Sequence, residues 1–327
     1  MTPLELARQS LVITSDLGSV GGAGSGLSRA VERGTLVRLK HGVYLDAALW
    51  APLDNADRHR LLATIAERLS GPGLVFSHQT AAALIGLPVL GRWPDRAHVV
   101  QDCAAGGRST SVLIRHTVGL QGVPCQAIGQ LTATSPARTV IDLAATLPYD
   151  VAVVATDAAL HLDRYTRECV TTRADVQALL EQMAPFRGLK RVLAVLDAST
   201  ELSDSVAESL CRIIIDELGF PAPELQHEFR DTGGLIGYAD FTWLSARVIL
   251  EFDGKNKYLD PALRHGLSAD EVVVLEKLRE DRLRALGFRV VRVGWRHLVD
   301  PTGLFRMLTD AGLTPVRPTR VIRRDWL

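Results

Sequence analysis

The 327-residue sequence predicts a multi-domain protein of mixed α/β and α+β class, and three observations carry that expectation. Its length and 47% hydrophobic content allow more than one core. Residues 1–50 read as short helices, a glycine turn and a basic hairpin, the order of a winged helix-turn-helix. Residues 203–327 read as helix, three strands, long helix and strand, the order of an α/β domain. Between them, residues 51–163 are expected to form an α+β middle domain and residues 164–202 a helical linker.

The formal net charge is zero, so charge argues for a polyanionic partner only through local patches. Cys103, Cys125, Cys169 and Cys211 have neither zinc-ligand spacing nor the density of a disulfide framework, which fits reduced thiols in a cytoplasm. The N-terminal stretch MTPLELARQSLVITS lacks the basic then apolar pattern of a signal peptide, and no apolar run reaches spanning length. A cytoplasmic protein without a membrane partner is expected.

Residues 3–10 have helical spacing, with Pro3 suited to a first turn. Thr14 or Ser15 can cap a second short helix, SDLGSVGG, stopped by Gly21, Gly22 and Gly24. Ser25 can cap a third, GLSRAVERG, ended by Gly34, after which TLVRLKHGVYLD alternates around His41-Gly42 as a two-stranded wing. Arg29, Arg33, Arg38, Lys40 and His41 face a single acid, Glu32. This locally basic region is expected to meet double-stranded DNA, the last helix in the major groove and the wing on phosphates. The run LSRAVERGTLVRLKHGVY, followed by VFSHQTAAALIGLP, resembles the N-terminal half of AbiEi-type antitoxin proteins. That resemblance implies a winged helix followed by a mixed α/β region, DNA binding, transcriptional control and a cognate toxin protein as a partner.

In the middle domain, DNADRHRLLATIAERLS is an amphipathic helix closed by Gly71, Pro72 and Gly73. A short strand at 74–76 and the helix SHQTAAALIGLP follow, where His78 in the first turn of an Ala-rich helix reads as structural. RAHVVQD, TSVLIRHT and GVPCQAIGQL read as strands, with AAGGRS as a hairpin turn between the first two. That turn lacks the residues of a phosphate loop, and Arg108, Arg115 and His116 read as solvated strand ends. PARTVIDLAATLP and TDAALHLD then add helices, and DVQALLEQM with LKRVLAVLDAS forms a helical pair.

In the C-terminal domain, Asp204 or Ser205 caps VAESLCRIIIDELGF. The strands ELQHEFR, LIGYADFTW and RVILEFDG follow, then SADEVVVLEKLREDRLRALG, the strand FRVVRVGW and one short terminal helix. Alternation in RVILEFDG sets Val248, Leu250 and Phe252 on one face and Ile249, Glu251 and Asp253 on the other. Asp240 joins Glu251 only in a register that opposes it to Ile249 or Glu251, as a two-residue turn at Leu244-Ser245 or Ser245-Ala246 would do. Clustered carboxylates repel unless a cation sits among them, and Mg²⁺ or Mn²⁺ suits oxygen donors.

Glu208, Asp240 and Glu251-Phe252-Asp253-Gly254, with a basic residue three positions after the glycine, resemble the PD-(D/E)XK nuclease superfamily, specifically its small Vsr-like endonuclease domains. EKLREDRLRALGFRVVRVGW is similar to that branch's terminal helix and strand, with Glu276 and Arg279 at recurring positions. The resemblance implies Asp240 and Glu251 as metal ligands and Glu208 as an accessory acid. Asp253 occupies the position of the usual lysine, so Lys257 or Lys255 must supply the positive charge. Lys277, Arg282 and Arg284 read as a solvated helix face. The sequence thus points to a DNA-binding protein with a Mg²⁺- or Mn²⁺-dependent endonuclease or nickase domain, or alternatively to an antitoxin-like repressor in which that domain is inactive.

Overall fold

The structure is a computed structural model and describes residues 1–17, 23–102, 108–117, 122–253, 268–320 and 324. It is a mixed α+β protein with three sheets, divided into two compact units. The first comprises Met1–Ala155 with Thr171–Leu196, the second Thr156–Val170 with Asp197–Leu327. The expected linker at 164–202 is thereby shared out, its central helices belonging to the first unit.

In the first unit, α1 (Pro3–Gln9) opens on a reciprocal cap between Thr2 and Glu5. After β1 (Val12–Ile13), the chain makes a 3-10 turn at Thr14–Leu17 where a second helix was expected. Thr14 N–H donates to the Gly42 carbonyl at 2.9 Å, which ties this backbone to the neighbouring hairpin loop. Gly42 has φ +72, and a Cβ there would lie 2.6 Å from Thr14 Oγ1, so only glycine fits. The remainder of the expected second helix, residues 18–22, lies outside the described residues. Helix α2 (Ala23–Glu32) begins ahead of the expected cap, Ser25.

Strands β2 (Leu36–Lys40) and β3 (Val43–Asp46) form the expected antiparallel hairpin. β1 pairs with the other edge of β3, so the sheet has three strands rather than two, in the order β1-β3-β2. After α3 (Ala47–Trp50), α4 (Asn55–Ser70) is capped by Asp54 and serves two cores. Leu61 and Ile65 pack with Ala7, Ile13, Val43 and Leu45, while Leu62, Ala63 and Ala66 pack with Phe76, Val99 and Leu113. The N-terminal and middle regions therefore share a helix and make one unit.

The middle region contains β4 (Val75–Phe76), α5 (His78–Ile85), β5 (Ala97–Gln101), β6 (Leu113–Thr117), β7 (Cys125–Ile128) and β8 (Leu131–Thr134), in the sheet order β6-β5-β4-β8-β7. The expected hairpin between β5 and β6 is corrected: the two strands are parallel, Ala97 opposite Leu113 and Gln101 opposite Thr117. Parallel neighbours need a crossover connection, not a tight turn. The glycines of AAGGRS itself lie at 103–107, outside the described residues. GVPCQAIGQL is not one strand, because Gly129 at φ +61 turns β7 back onto β8. Helices α6 (Pro136–Thr146) and α8 (Arg173–Met183) belong to this unit, as do α7 (Tyr149–Leu160) up to Ala155 and α9 (Leu189–Ala198) up to Leu196.

The second unit has α10 (Val206–Glu217), β9 (Glu224–Asp231), β10 (Gly234–Trp243), β11 (Val248–Phe252), α11 (Ala269–Ala285), β12 (Arg289–Val293), α12 (Trp295–Val299) and α13 (Pro301–Asp310). Its sheet runs β12-β11-β10-β9, with β11 and β12 parallel and the other pairs antiparallel. The one terminal helix expected after β12 is two, because Asp300 caps a fresh start at Pro301. Strand β11 is central, and every residue from Val248 to Phe252 is buried. Ile249 meets Leu283 of α11 in a core with Phe229, Ile236 and Ala239. No helix among the described residues is long and apolar enough to cross a membrane.

Asp157, fully buried near the end of α7, pairs with Arg212 of α10 at 2.6 Å and accepts from Thr200 N–H at 2.8 Å. Burial pushes its carboxyl upward, opposed by the Arg212 guanidinium. Removing one member of such a pair leaves the other charge uncompensated. Both residues belong to the second unit, so Asp157→Ala should cost that unit about 3–5 kcal/mol, read as a lower urea midpoint, and an unchanged midpoint would show that the pair does not stabilise it.

Candidate active site in the second unit

The turn joining β10 to β11 decides whether the acids meet. Arg247 N–H donates to the Leu244 carbonyl at 3.2 Å, closing a turn with Ser245 and Ala246 at its centre. The strands then pair Trp243 with Val248, Thr242 with Ile249 and Phe241 with Leu250. This is one of the two registers that bring Asp240 to the end of β11. There Asp240 Oδ2 accepts from Phe252 N–H at 2.8 Å.

Glu208 arrives from the first turn of α10, where Ser205 Oγ caps the helix by accepting from Glu208 N–H at 3.2 Å. Its carboxylate accepts from Ser205 Oγ at 2.7 Å, Asp204 N–H at 3.0 Å and Gln226 Nε2 at 3.2 Å. The Ser-x-x-Glu spacing therefore makes Glu208 part of the helix start as well as a neighbour of Asp240. Burial first, and then the charge of Asp240, push its pKa up to about 7. Cys211, one turn further on, is raised by its own burial and by both acids.

Glu251 is buried near the end of β11, and burial raises its pKa, with Arg279 opposing and Asp240 adding to the shift. Arg279 of α11 stands 2.8 Å from Oε1, and Arg292 of β12 stands 3.5 Å from Oε2. Glu251 Oε1 is nevertheless buried without an aligned hydrogen bond. Arg279 also meets Glu276 at 3.2 Å and donates to the Tyr238 carbonyl at 2.7 Å. Arg292 meets Glu276 at 2.6 Å and Glu280 at 2.9 Å. Although burial disfavours the Arg292 charge, the bonds to Glu276 and Glu280 hold its pKa above the ordinary value.

Asp240, Glu251, Glu276, Arg279 and Arg292 line a cleft of about 270 Å³ together with Asp253, Gln226 and Tyr238, and Glu208 is not among its lining residues. Its described lining carries three arginines (Arg164, Arg279, Arg292) against five carboxylates (Asp204, Asp240, Glu251, Asp253, Glu276), an excess of two negative charges when all are ionised. Oxygen donors with that excess, one of them a buried atom without an aligned donor, fit a hard divalent cation. The fit is contested from within, because the two arginines already stand against Glu251.

Asp253, half-buried at the cleft, donates its N–H to the Val293 carbonyl at 2.7 Å. Lys255 and Lys257 lie outside the described residues. Three contributors escaped sequence reasoning. Arg164, assigned to a linker, donates to Asp204 and Gln226 at 2.8 Å each and covers the Tyr238 ring at 4.4 Å. No local motif marks it. Gln226 adopts φ +49, an unusual backbone for a strand residue. Arg292 was visible in FRVVRVGW as a charge inside an apolar strand, a signal that a buried partner awaits it.

In the first unit, Arg29, Arg33, Arg38 and His41 are exposed, whereas Lys40 is half-buried and donates to the Asp95 carbonyl at 2.5 Å. The structure thus gives Lys40 a tie to the segment before β5 that the reading of a free basic wing did not foresee.

No family model matches the chain. Two uncharacterized proteins of Mycobacterium tuberculosis, from strains CDC 1551 and H37Rv, are each 27% identical to it over 270 residues, 80% of this chain and 87% of theirs. A match of that length includes residues of both units.

Glu208 generates a pH dependence with a definite sign. A carboxyl whose folded-state pKa is raised binds its proton more tightly when folded, so its stabilising contribution is complete below the ordinary value of 4.5 and is lost as pH rises through about 7. Urea midpoints should therefore fall over that window in the wild type, and Glu208→Gln should flatten the fall. Parallel profiles for the two proteins would contradict the assignment.

Proposed function

We propose that the protein binds double-stranded DNA and that its second unit is a Mg²⁺- or Mn²⁺-dependent endonuclease or nickase of the Vsr-like PD-(D/E)XK kind. The observation that carries this reading is the cleft in which Asp240 and Glu251 share an excess of negative charge. Asp240 and Glu251 would hold the ion. Such an ion, when bound, polarises a phosphoryl oxygen and lowers the pKa of a water.

The chain's own residues supply the rest. Glu208, with its pKa near neutrality, can accept or hold a proton beside Asp240. Arg164, Arg279 and Arg292 bring positive charge to a cleft that would receive a phosphodiester. Lys257 or Lys255 are the candidates for the remaining cation, in place of a lysine at Asp253. In the first unit, a winged-helix reading of α2 with β2 and β3 would set Arg29, Arg33, Arg38 and His41 against the duplex, with Lys40 at its edge.

One observation favours a second reading. Glu251 is already compensated by Arg279 and Arg292, so the site can stand without an ion. On that reading the protein is an AbiEi-like antitoxin or repressor, with a cognate toxin as partner and an inactive nuclease-like unit.

Plasmid cleavage separates the two. The nuclease reading expects Mg²⁺- or Mn²⁺-dependent nicking that falls at least about 100-fold in Asp240→Ala and in Glu251→Ala, while gel-shift affinity for duplex DNA stays within a few-fold. Intact plasmid with the wild-type protein, or nicking unaffected by both substitutions, would overturn it.

A further inference from the structure

Three histidines far apart in sequence come together in the first unit. His78 begins α5, His98 lies on β5 and His116 on β6. The parallel register opposes His116 to Val100, two residues beyond His98 and on the same face. His98 Nδ1 and His116 Nε2 are 3.0 Å apart, and the His78 ring stacks on His116 with centroids 3.7 Å apart. One ring nitrogen from each lies within 4.8 Å of the others, and among the described residues this is the set of three ligand-type side chains that meets so closely.

The surroundings are built around these rings. His78 is held at φ +50, a left-handed conformation that costs a residue with a Cβ about 1–3 kcal/mol. Ser77, at the cap position of α5, makes no side-chain bond to the helix backbone; its Oγ lies 3.0 Å from His78 Nδ1 instead. Ser77 N–H donates to the His98 carbonyl at 2.9 Å, and Thr80 Oγ1 accepts from His98 N–H at 2.8 Å. Behind the cluster, Asp142 of α6 pairs through Oδ1 with Arg138, while its buried Oδ2 has no hydrogen bond and lies 3.9 Å from His78 Nδ1. Burial first, and then the neighbouring His116, hold His78 and His98 below the usual imidazole range.

Neutral imidazole is the form that binds transition metals. Two nitrogens at about 2.0–2.1 Å from one tetrahedral ion lie about 3.4 Å apart, close to the separation of His98 Nδ1 and His116 Nε2. With His78 Nδ1 turned toward Ser77 and Asp142, Nε2 is the nitrogen left for an ion once the ring tilts out of its stack on His116, and the orphaned Asp142 oxygen stands where a carboxylate orients a metal-bound imidazole. We infer that His78, His98 and His116 form a three-histidine site for a borderline divalent transition ion of the Zn²⁺ class, with Asp142 positioning His78 and a fourth coordination place open to solvent at half-buried His116. Three nitrogen donors distinguish this site from the all-oxygen cleft of the second unit.

The test is metal retention by the full-length protein, stripped with chelator, incubated with Zn²⁺ or Co²⁺ and desalted. Elemental analysis should find one retained equivalent, Co²⁺ should show the intense visible absorption of tetrahedral nitrogen coordination, and Zn²⁺ should raise the Tm. His116→Gln and His98→Gln should lose all three signals, and Asp142→Asn should weaken affinity about 10–100-fold. His116 is half-buried, so its variant is expected to fold, which far-UV circular dichroism checks. No retained ion in the wild type, or equal retention in folded His116→Gln, would overturn the inference and leave the cluster as hydrogen-bonded and stacked imidazoles.

Discussion

The buried carboxylate of Glu251 is the constraint on which the second unit is organised. It sits in the central strand of a four-stranded sheet, where hydration cannot compensate it. An unpaired carboxylate in such a place costs several kcal/mol, so the chain must deliver cations to it. Arg279 comes from α11 and Arg292 from β12, and both are held in turn by Glu276, with Glu280 on Arg292. The same contacts that neutralise one strand residue therefore fix the long helix over the sheet and the parallel strand beside it. Packing of Ile249 against Leu283 completes the apolar part of that arrangement.

This arrangement creates the tension in the proposed site. Burial raises the pKa of both Glu208 and Glu251, and the charge of Asp240 raises each further, against Arg279 at Glu251. A bound cation and a protonated Glu208 are two ways to relieve the same excess. Which one operates is what separates the two readings proposed for this cleft.

Much of the second unit was legible in its sequence. The order of helix, three strands, helix and strand follows from apolar periodicity, and the register of Asp240 followed from whether the turn at Ser245-Ala246 had an even number of residues. Strand β11 was less legible than its alternation suggested, because a central strand is covered on both faces and buries Glu251 along with Leu250. Arg164 left no trace, since it comes from a segment with no local pattern and acts only through the fold. In the first unit, glycines between β5 and β6 announced a change of direction but not whether the next strand would run parallel. That parallel register is what brings His116 beside His98, and so a histidine trio was invisible to any reading of ligand spacing along the chain.

The most direct measurement is Mn²⁺ binding followed by electron paramagnetic resonance of the free ion, with no DNA present. The account predicts one oxygen-ligated Mn²⁺ site that competes with Mg²⁺, disappears in Asp240→Asn, and survives in His116→Gln. A wild-type protein that binds no Mn²⁺, or one whose binding is untouched by Asp240→Asn, would contradict it and leave Glu251 with its arginines as a structural ion pair alone.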